Sequence, residues 1–108
     1  MKPDIECTQI LREIAKNPNI SQRGLASKHR ISLGKVNYAI KFLISKGFIK
    51  IQNLSDAPKN KRYTYILTPM GMEEKTIQTT NFLKWKLEEY ERMKKEIEEL
   101  QEDVDSFL

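Results

Sequence analysis

Apolar residues recur at spacings of three and four in three successive segments of the first half of the chain, which predicts three amphipathic helices. The inward face of the first, over residues 4–16, comprises Cys7, Ile10, Leu11, Ile14 and Ala15. The second helix runs from a cap at Ser21 to about residue 29, with Leu25 and Ala26 inward. The third spans residues 33–46 behind a cap at Ser32, and its apolar stripe comprises Leu33, Val36, Ile40, Leu43 and Ile44.

The pattern changes from helical to alternating after Gly47, a residue suited to the left-handed end of a helix. Residues 48–54 alternate apolar and polar and predict a strand. Residues 55–60 have the composition of a turn. Residues 61–67, rich in tyrosine, threonine and isoleucine, predict a second strand. Together these segments predict an antiparallel hairpin with a basic tip.

A second helical pattern begins at Thr68-Pro69, a capping hydroxyl followed by a proline, and runs to about residue 106. Apolar residues in it recur with the heptad spacing of a coiled coil. The predicted dimerisation residues are Leu83, Leu87, Tyr90, Met93, Ile97, Leu100 and Val104. A parallel pair would bring Glu89 near the partner's Lys94, and antiparallel pairing stays open. The alternative is one amphipathic helix packed on its own domain.

The charge is distributed unevenly along the chain. Residues 1–68 carry 13 basic and 4 acidic residues, whereas residues 69–108 carry 6 basic and 11 acidic ones, within a net charge of +4. A basic body joined to an acidic helix predicts a nucleic-acid-binding domain over 1–68 and a dimerisation helix over 69–108. The alternative is a soluble protein with uneven surface charge. A single cysteine and the absence of a leader or membrane-spanning run predict a cytoplasmic protein.

Three segments, with the junction that follows the hairpin, carry a resemblance to a known family: Ile20 to Ala26, Ile31 to Tyr38, Leu43 to Ile49, and Leu67 to Gly71. They resemble the MarR family of bacterial transcription regulators, and more narrowly a small subgroup associated with exopolysaccharide genes. The resemblance implies a mainly α winged helix-turn-helix with a small antiparallel β hairpin. Typical members add N-terminal dimerisation helices, so the shorter chain predicts no small-molecule effector.

The third helix carries the residues that we expect to read DNA. With its apolar stripe inward, the opposite face presents six residues to the major groove: Ser32, Gly34, Lys35, Asn37, Tyr38 and Lys41. Lys35 can reach a guanine edge or a phosphate, and Asn37 can make a bidentate contact to adenine. Tyr38 can pack on a thymine methyl group or donate to a phosphate, and Lys41 more readily meets the backbone. The alternative is an ordinary solvated face.

Further basic residues are placed to hold the DNA backbone. Arg23, Lys28 and Arg30 flank the second helix and are predicted to contact phosphates. The predicted hairpin tip carries Lys59, Asn60, Lys61 and Arg62. The winged-helix resemblance implies that this tip lies along the backbone or in the minor groove. Hairpin tips are commonly polar, which is the alternative interpretation.

The sequence does not favour an enzyme or a cofactor. It contains no glycine-rich phosphate loop and no cluster of metal ligands, and its one histidine and one cysteine are far apart. We therefore predict a homodimer that binds double-stranded DNA and regulates transcription, without a membrane partner. The alternative is a winged-helix protein-interaction module whose C-terminal coiled coil binds another protein.

Overall fold

A computed structural model of the chain describes residues 4–53 and 63–108. The elements, in chain order, are α1 (Ile5–Lys16), α2 (Gln22–His29), α3 (Leu33–Ser45), β1 (Ile49–Asn53), β2 (Tyr63–Leu67) and α4 (Pro69–Phe107). Three helices, a two-stranded hairpin and one long helix are the predicted winged helix-turn-helix with its C-terminal extension.

Each helix begins at the residue whose side chain can satisfy its first free amides. Asp4 accepts from the Cys7 amide at 3.0 Å, and Ser21 accepts from the Gly24 amide at 2.9 Å. Ser32 and Thr68 do the same for α3 and α4, at 3.2 and 2.9 Å. The three caps predicted from the sequence, at Ser21, Ser32 and Thr68, are confirmed.

The core lies where α1, α2 and α3 meet the base of the hairpin. Its fully buried side chains are Thr8, Ile10, Leu11, Ile14, Leu25, Val36, Ile40, Leu43 and Ile49. Two predictions about inward faces are wrong. Leu33, in the first turn of α3, is 43% exposed, whereas Ala39 on the same helix is buried although the predicted stripe omitted it. Ala15 is also exposed, in the last turn of α1.

The hairpin pairs β1 with β2 antiparallel, in a register that runs from Ile49 opposite Leu67 to Asn53 opposite Tyr63. Gly47, just before β1, has a φ of 79°, which confirms the predicted left-handed turn. The backbone amide of Tyr65 donates to the carbonyl of Pro18 at 3.2 Å. This hydrogen bond joins the hairpin to the segment that follows α1.

The junction of β2 with α4 is hydrogen-bonded to the residues that follow α3. The Thr68 amide donates to the Phe48 carbonyl at 3.0 Å, and the Thr68 hydroxyl donates to the Gly47 carbonyl at 2.5 Å. Gly71 is buried at this point. Hydrogen bonds from Thr68 to two backbone carbonyls therefore hold the start of α4 against the body.

Only the first part of α4 packs on the body. The Thr8 hydroxyl donates to Gln78 at 3.0 Å across the α1–α4 contact. From Tyr90 to the end, every residue of α4 is exposed within the chain. The helix has 39 residues, so it is about 58 Å long. None of the helices in the described segments combines the length and the apolar composition that a membrane-spanning helix requires.

Candidate nucleic-acid interface

The helix-turn-helix is formed by α2, a tight turn and α3. Arg30 caps α2 in the left-handed conformation, with a φ of 55°. The next amide, of Ile31, donates back to the Ala26 carbonyl at 3.1 Å. This turn directs α3 across α2, and Arg30 itself is exposed at the corner.

The outward face of α3 presents polar and basic side chains. Ser32, Lys35 and Lys41 are exposed, and Tyr38 is 74% exposed. Gly34 lies on the same side, and a Cβ at that position would have no atom within 4 Å. Arg23 is exposed on α2. The arrangement offers a protruding, cationic helix face of the kind that fits a major groove.

Asn37 differs from the other predicted DNA-reading residues because it is partly buried. Its Nδ2 donates to Oε1 of Gln22 at 3.2 Å, and Nε2 of Gln22 donates to the Tyr65 hydroxyl at 3.1 Å. The side-chain amide of Asn37 is thus hydrogen-bonded to a residue of α2, and the sequence analysis did not identify this residue.

Lys28, predicted to contact phosphate, is paired within the protein. Its Nζ lies 2.6 Å from Oε1 of Glu13, and Nε2 of His29 lies 3.4 Å from the same oxygen. The Glu13 side chain is only 6% exposed, whereas that of Lys28 is 60% exposed. Lys28 therefore neutralises a buried carboxylate, and its contact with a phosphate stays a prediction.

The surroundings of Glu13 change its acidity. The hydrogen bond and the charge of Lys28 hold the pKa of Glu13 below its ordinary value of 4.5, against the opposing effect of burial. The nearby His29 acts in the same direction. The ionised form is therefore the one that the folded protein favours.

We expect the free energy of unfolding to fall more steeply on acidification in the wild type than in Glu13→Gln. Because the folded-state pKa is below the ordinary value, the carboxylate's contribution is complete above about pH 5 and is lost as the pH falls through the folded-state pKa. Urea unfolding at pH 7 and near pH 3.5 measures this loss of unfolding free energy. At pH 7 the Glu13→Gln substitution should lower the free energy of unfolding by about 1–2 kcal/mol.

The exposed Glu98 provides a matched control, because Glu98→Gln removes the same charge on the far part of α4. Its acid dependence should follow that of the wild type. Parallel acid curves for the wild type and Glu13→Gln would contradict a role for the buried carboxylate.

A cavity of about 480 Å³ lies between α3 and the start of α1. Lys35, Tyr38 and Phe42 line it on the α3 side, and Asp4, Glu6 and Cys7 line it on the α1 side. Burial raises the pKa of the Cys7 thiol to about 12, and the charge of Asp4 adds to the shift. The carboxylates of Asp4 and Glu6 thus lie near the cationic face of α3. The sequence of α3 alone does not show that they are there.

The predicted hairpin tip, with Lys59, Lys61 and Arg62, lies outside the described residues, so its DNA-binding role stays a prediction. In the part of the chain that is described, no group of three or more potential ligands could hold a metal ion.

The predicted dimerisation residues form one exposed apolar stripe on α4. Leu83, Leu87, Tyr90, Met93, Ile97, Leu100 and Val104 are each 55–61% exposed. Lys86, which interrupts the heptad pattern, has its Nζ above the rings of Phe82 and Trp85, at 5.5 and 5.7 Å from their centres. Glu89 accepts from Arg92 of its own helix at 3.1 Å, although the parallel arrangement would use it between helices.

The sequence analysis missed the roles of two residues near the site, Gln22 and Glu13. Glu13 carried a usable signal, since it lies between Ile10 and Ile14 on the predicted apolar face of α1, where a carboxylate requires a cation. Gln22 carried none, because its partners are 15 and 43 residues away in the chain.

Comparison with known proteins gives the same fold. Residues 8–50 match the model of winged helix-turn-helix DNA-binding domains. A search of curated proteins found no significant match. Solved structures that the chain resembles include a variant of Lactococcus lactis ZitR, at 22% identity and a TM-score of 0.67, with 100% of this chain and 72% of that chain covered.

Two further structural neighbours are named as a competence repressor and as MarR. The adhesin competence repressor AdcR of Streptococcus pyogenes is 22% identical with a TM-score of 0.64, over 98% of this chain and 80% of that one. Staphylococcus aureus MarR, in complex with salicylate and kanamycin, is 24% identical with a TM-score of 0.56, over 80% of this chain. The chain covers 56% of the length of that MarR protein.

Proposed function

We propose that the chain is a MarR-type transcription regulator that binds double-stranded DNA by inserting α3 into the major groove. The outward face of α3 carries the proposal: Lys35 and Lys41 are exposed beside Tyr38, on the second helix of a helix-turn-helix. Exposed lysines and a protruding aromatic ring suit phosphates and base edges. We also propose a cytoplasmic location, as the DNA-binding role favours.

Base recognition is proposed for Lys35, Asn37 and Tyr38, and backbone contacts for Arg23, Ser32 and Lys41. The Ser32 hydroxyl accepts from the Lys35 amide, and its hydrogen remains available to a phosphate. The basic tip at Lys59, Lys61 and Arg62 is proposed to lie on the adjacent backbone or minor groove. Control of exopolysaccharide genes is proposed only on the subgroup resemblance.

We further propose that two copies pair through residues 69–108, while residues 1–68 bind DNA. The support is the apolar stripe, which is exposed over residues 90–108 and which none of the described segments covers. A continuous apolar seam at heptad spacing is buried most simply by an identical helix. Two copies would present two α3 helices to successive major grooves.

We expect the wild type to bind its own upstream DNA at least about 10³-fold more tightly than scrambled DNA, with a steep dependence on salt. Lys35→Ala with Lys41→Ala should weaken binding to the upstream fragment by about 100-fold or more, because phosphate and base contacts disappear together. Fluorescence anisotropy at about 50 and 200 mM salt measures both effects.

Lys84→Ala with Lys95→Ala is the matched control, since it removes the same charge from exposed positions on α4. It should leave specific binding nearly unchanged. Equal and weak binding of the wild type to both DNA fragments would favour the protein-interaction module instead, with residues 82–107 as its partner-binding element.

A further inference from the structure

Three side chains from three elements form a hydrogen-bonded relay behind the outward face of α3. Gln22, the first residue of α2, donates through Nε2 to the hydroxyl of Tyr65 on β2 at 3.1 Å. Its Oε1 accepts from Nδ2 of Asn37 on α3 at 3.2 Å. Tyr65 is 5% exposed, and the other two residues are partly buried. The relay connects the base of the hairpin to the predicted recognition helix.

We propose that Gln22 is a positioning residue that determines the base preference of Asn37. This inference rests on the proposed function, in which Asn37 reads a base. The amide group of Asn37 has two hydrogens, and the bond to Gln22 uses one. The second hydrogen and Oδ1 are left for the N7 acceptor and N6 donor of adenine. Gln22 can therefore hold the amide without occupying the atoms that read the base.

Positioning matters here because the terminal torsion of an asparagine side chain is broad. An amide that rotates freely loses conformational freedom when it docks, and it can pair with several bases. Tyr65 gives the relay a fixed end, since its ring is buried and its amide is bonded to Pro18 at 3.2 Å. The orientation of the Asn37 side chain is thus fixed relative to the rigid core.

The test begins with selection of the preferred sequence from a randomised duplex pool by the full-length wild type. Asn37→Ala then identifies the base pair at which preference is lost. We expect Gln22→Ala to reduce preference at that same base pair from about tenfold to about twofold. Preferences at the other positions should be unchanged. The double variant should lose no more preference than Asn37→Ala alone.

Gln22→Glu keeps an oxygen that can accept from Asn37 and from the Tyr65 hydroxyl, so base preference should be retained. Its added charge should weaken binding to every sequence alike. Gln78→Ala is the matched control. It removes a glutamine of α4 that accepts a hydrogen bond from Thr8 of α1 at 3.0 Å, away from α3. Base preference in that variant should equal that of the wild type.

A merely structural role for Gln22 would lower affinity for all sequences equally. If Gln22→Ala keeps its preference at the base pair read by Asn37, this inference is overturned while the proposed function stands. If the wild type selects no sequence at all, the proposed function fails and the inference fails with it.

Discussion

Lysine substitutions at Met93 and Ile97 are expected to convert the protein to a monomer that keeps its fold. The two side chains are 61% and 57% exposed within one chain, so their replacement removes little packing there. In a paired structure the substitutions would place four ammonium groups in one apolar seam, where desolvation and mutual repulsion oppose association. Dimer affinity should fall by more than about 100-fold.

Sedimentation over a range of protein concentrations measures this change directly, and circular dichroism shows whether the helices remain. Glu91→Ala with Glu98→Ala is the matched control, because it also raises the charge by two while leaving the stripe intact. Both glutamates are exposed on α4. A Met93/Ile97 variant that sediments like the wild type would show that the stripe is not the interface.

Loss of pairing has a second consequence that links α4 to DNA binding. A dimer bound to two half-sites about 34–36 Å apart holds the second α3 at a high effective concentration once the first is bound. The monomeric variant should therefore bind a two-site duplex about 100-fold more weakly. Its affinity for a single half-site should equal that of the wild type, which separates pairing from DNA contact.

Local signals made most of the fold predictable from the sequence. Asp4, Ser21, Ser32 and Thr68 cap the four helices, and each acts on an amide three residues later in the chain. Helix periodicity and strand alternation are likewise local. For this reason the order and types of elements were predicted correctly, and the helix boundaries differ by at most one residue.

The inward faces were predicted less well, because burial depends on what lies opposite each helix. Leu33 has the spacing of a core residue relative to Val36 and Ile40, yet it is 43% exposed in the first turn of α3. Periodicity places a residue on a face, but it does not say how far along the helix the neighbouring elements extend.

The candidate site was predicted on α3 itself and missed wherever a second element contributes. Glu13 reaches Lys28 from another helix, and Gln22 reaches both Asn37 and Tyr65. Asp4 and Glu6 share a cavity with Lys35 although α3 contains no acid. These relations arise from packing between distant segments, so no spacing within a single helix could indicate them.

Packing between distant segments also explains why we expect alanine to have opposite effects at two glycines. A Cβ at Gly71 would lie 1.8 Å from the Phe48 carbonyl oxygen and 2.8 Å from its carbon. These are backbone atoms of the junction that Thr68 clasps, and they cannot rotate away. Gly71→Ala should therefore cost about 2–3 kcal/mol and lower the melting temperature by about 10–20 °C.

Gly34→Ala provides the matched comparison, since it makes the same change in the first turns of another helix. A Cβ there meets no atom within 4 Å, and alanine restricts the unfolded chain more than glycine does. We expect it to stabilise the fold by about 0.5 kcal/mol. Thermal unfolding at equal protein concentrations measures both variants, because the proposed pairing would make the melting temperature depend on concentration.

Anisotropy on the selected DNA completes the comparison of the two glycines. Gly34 is exposed on the face proposed to enter the groove, so its added methyl group should weaken DNA binding even as it stabilises the fold. Gly71→Ala should weaken DNA binding only through the loss of folded protein and through the altered direction of α4. If Gly34→Ala binds DNA as tightly as the wild type, this turn of α3 does not approach the DNA closely, and the docking proposed here would have to move further along the helix.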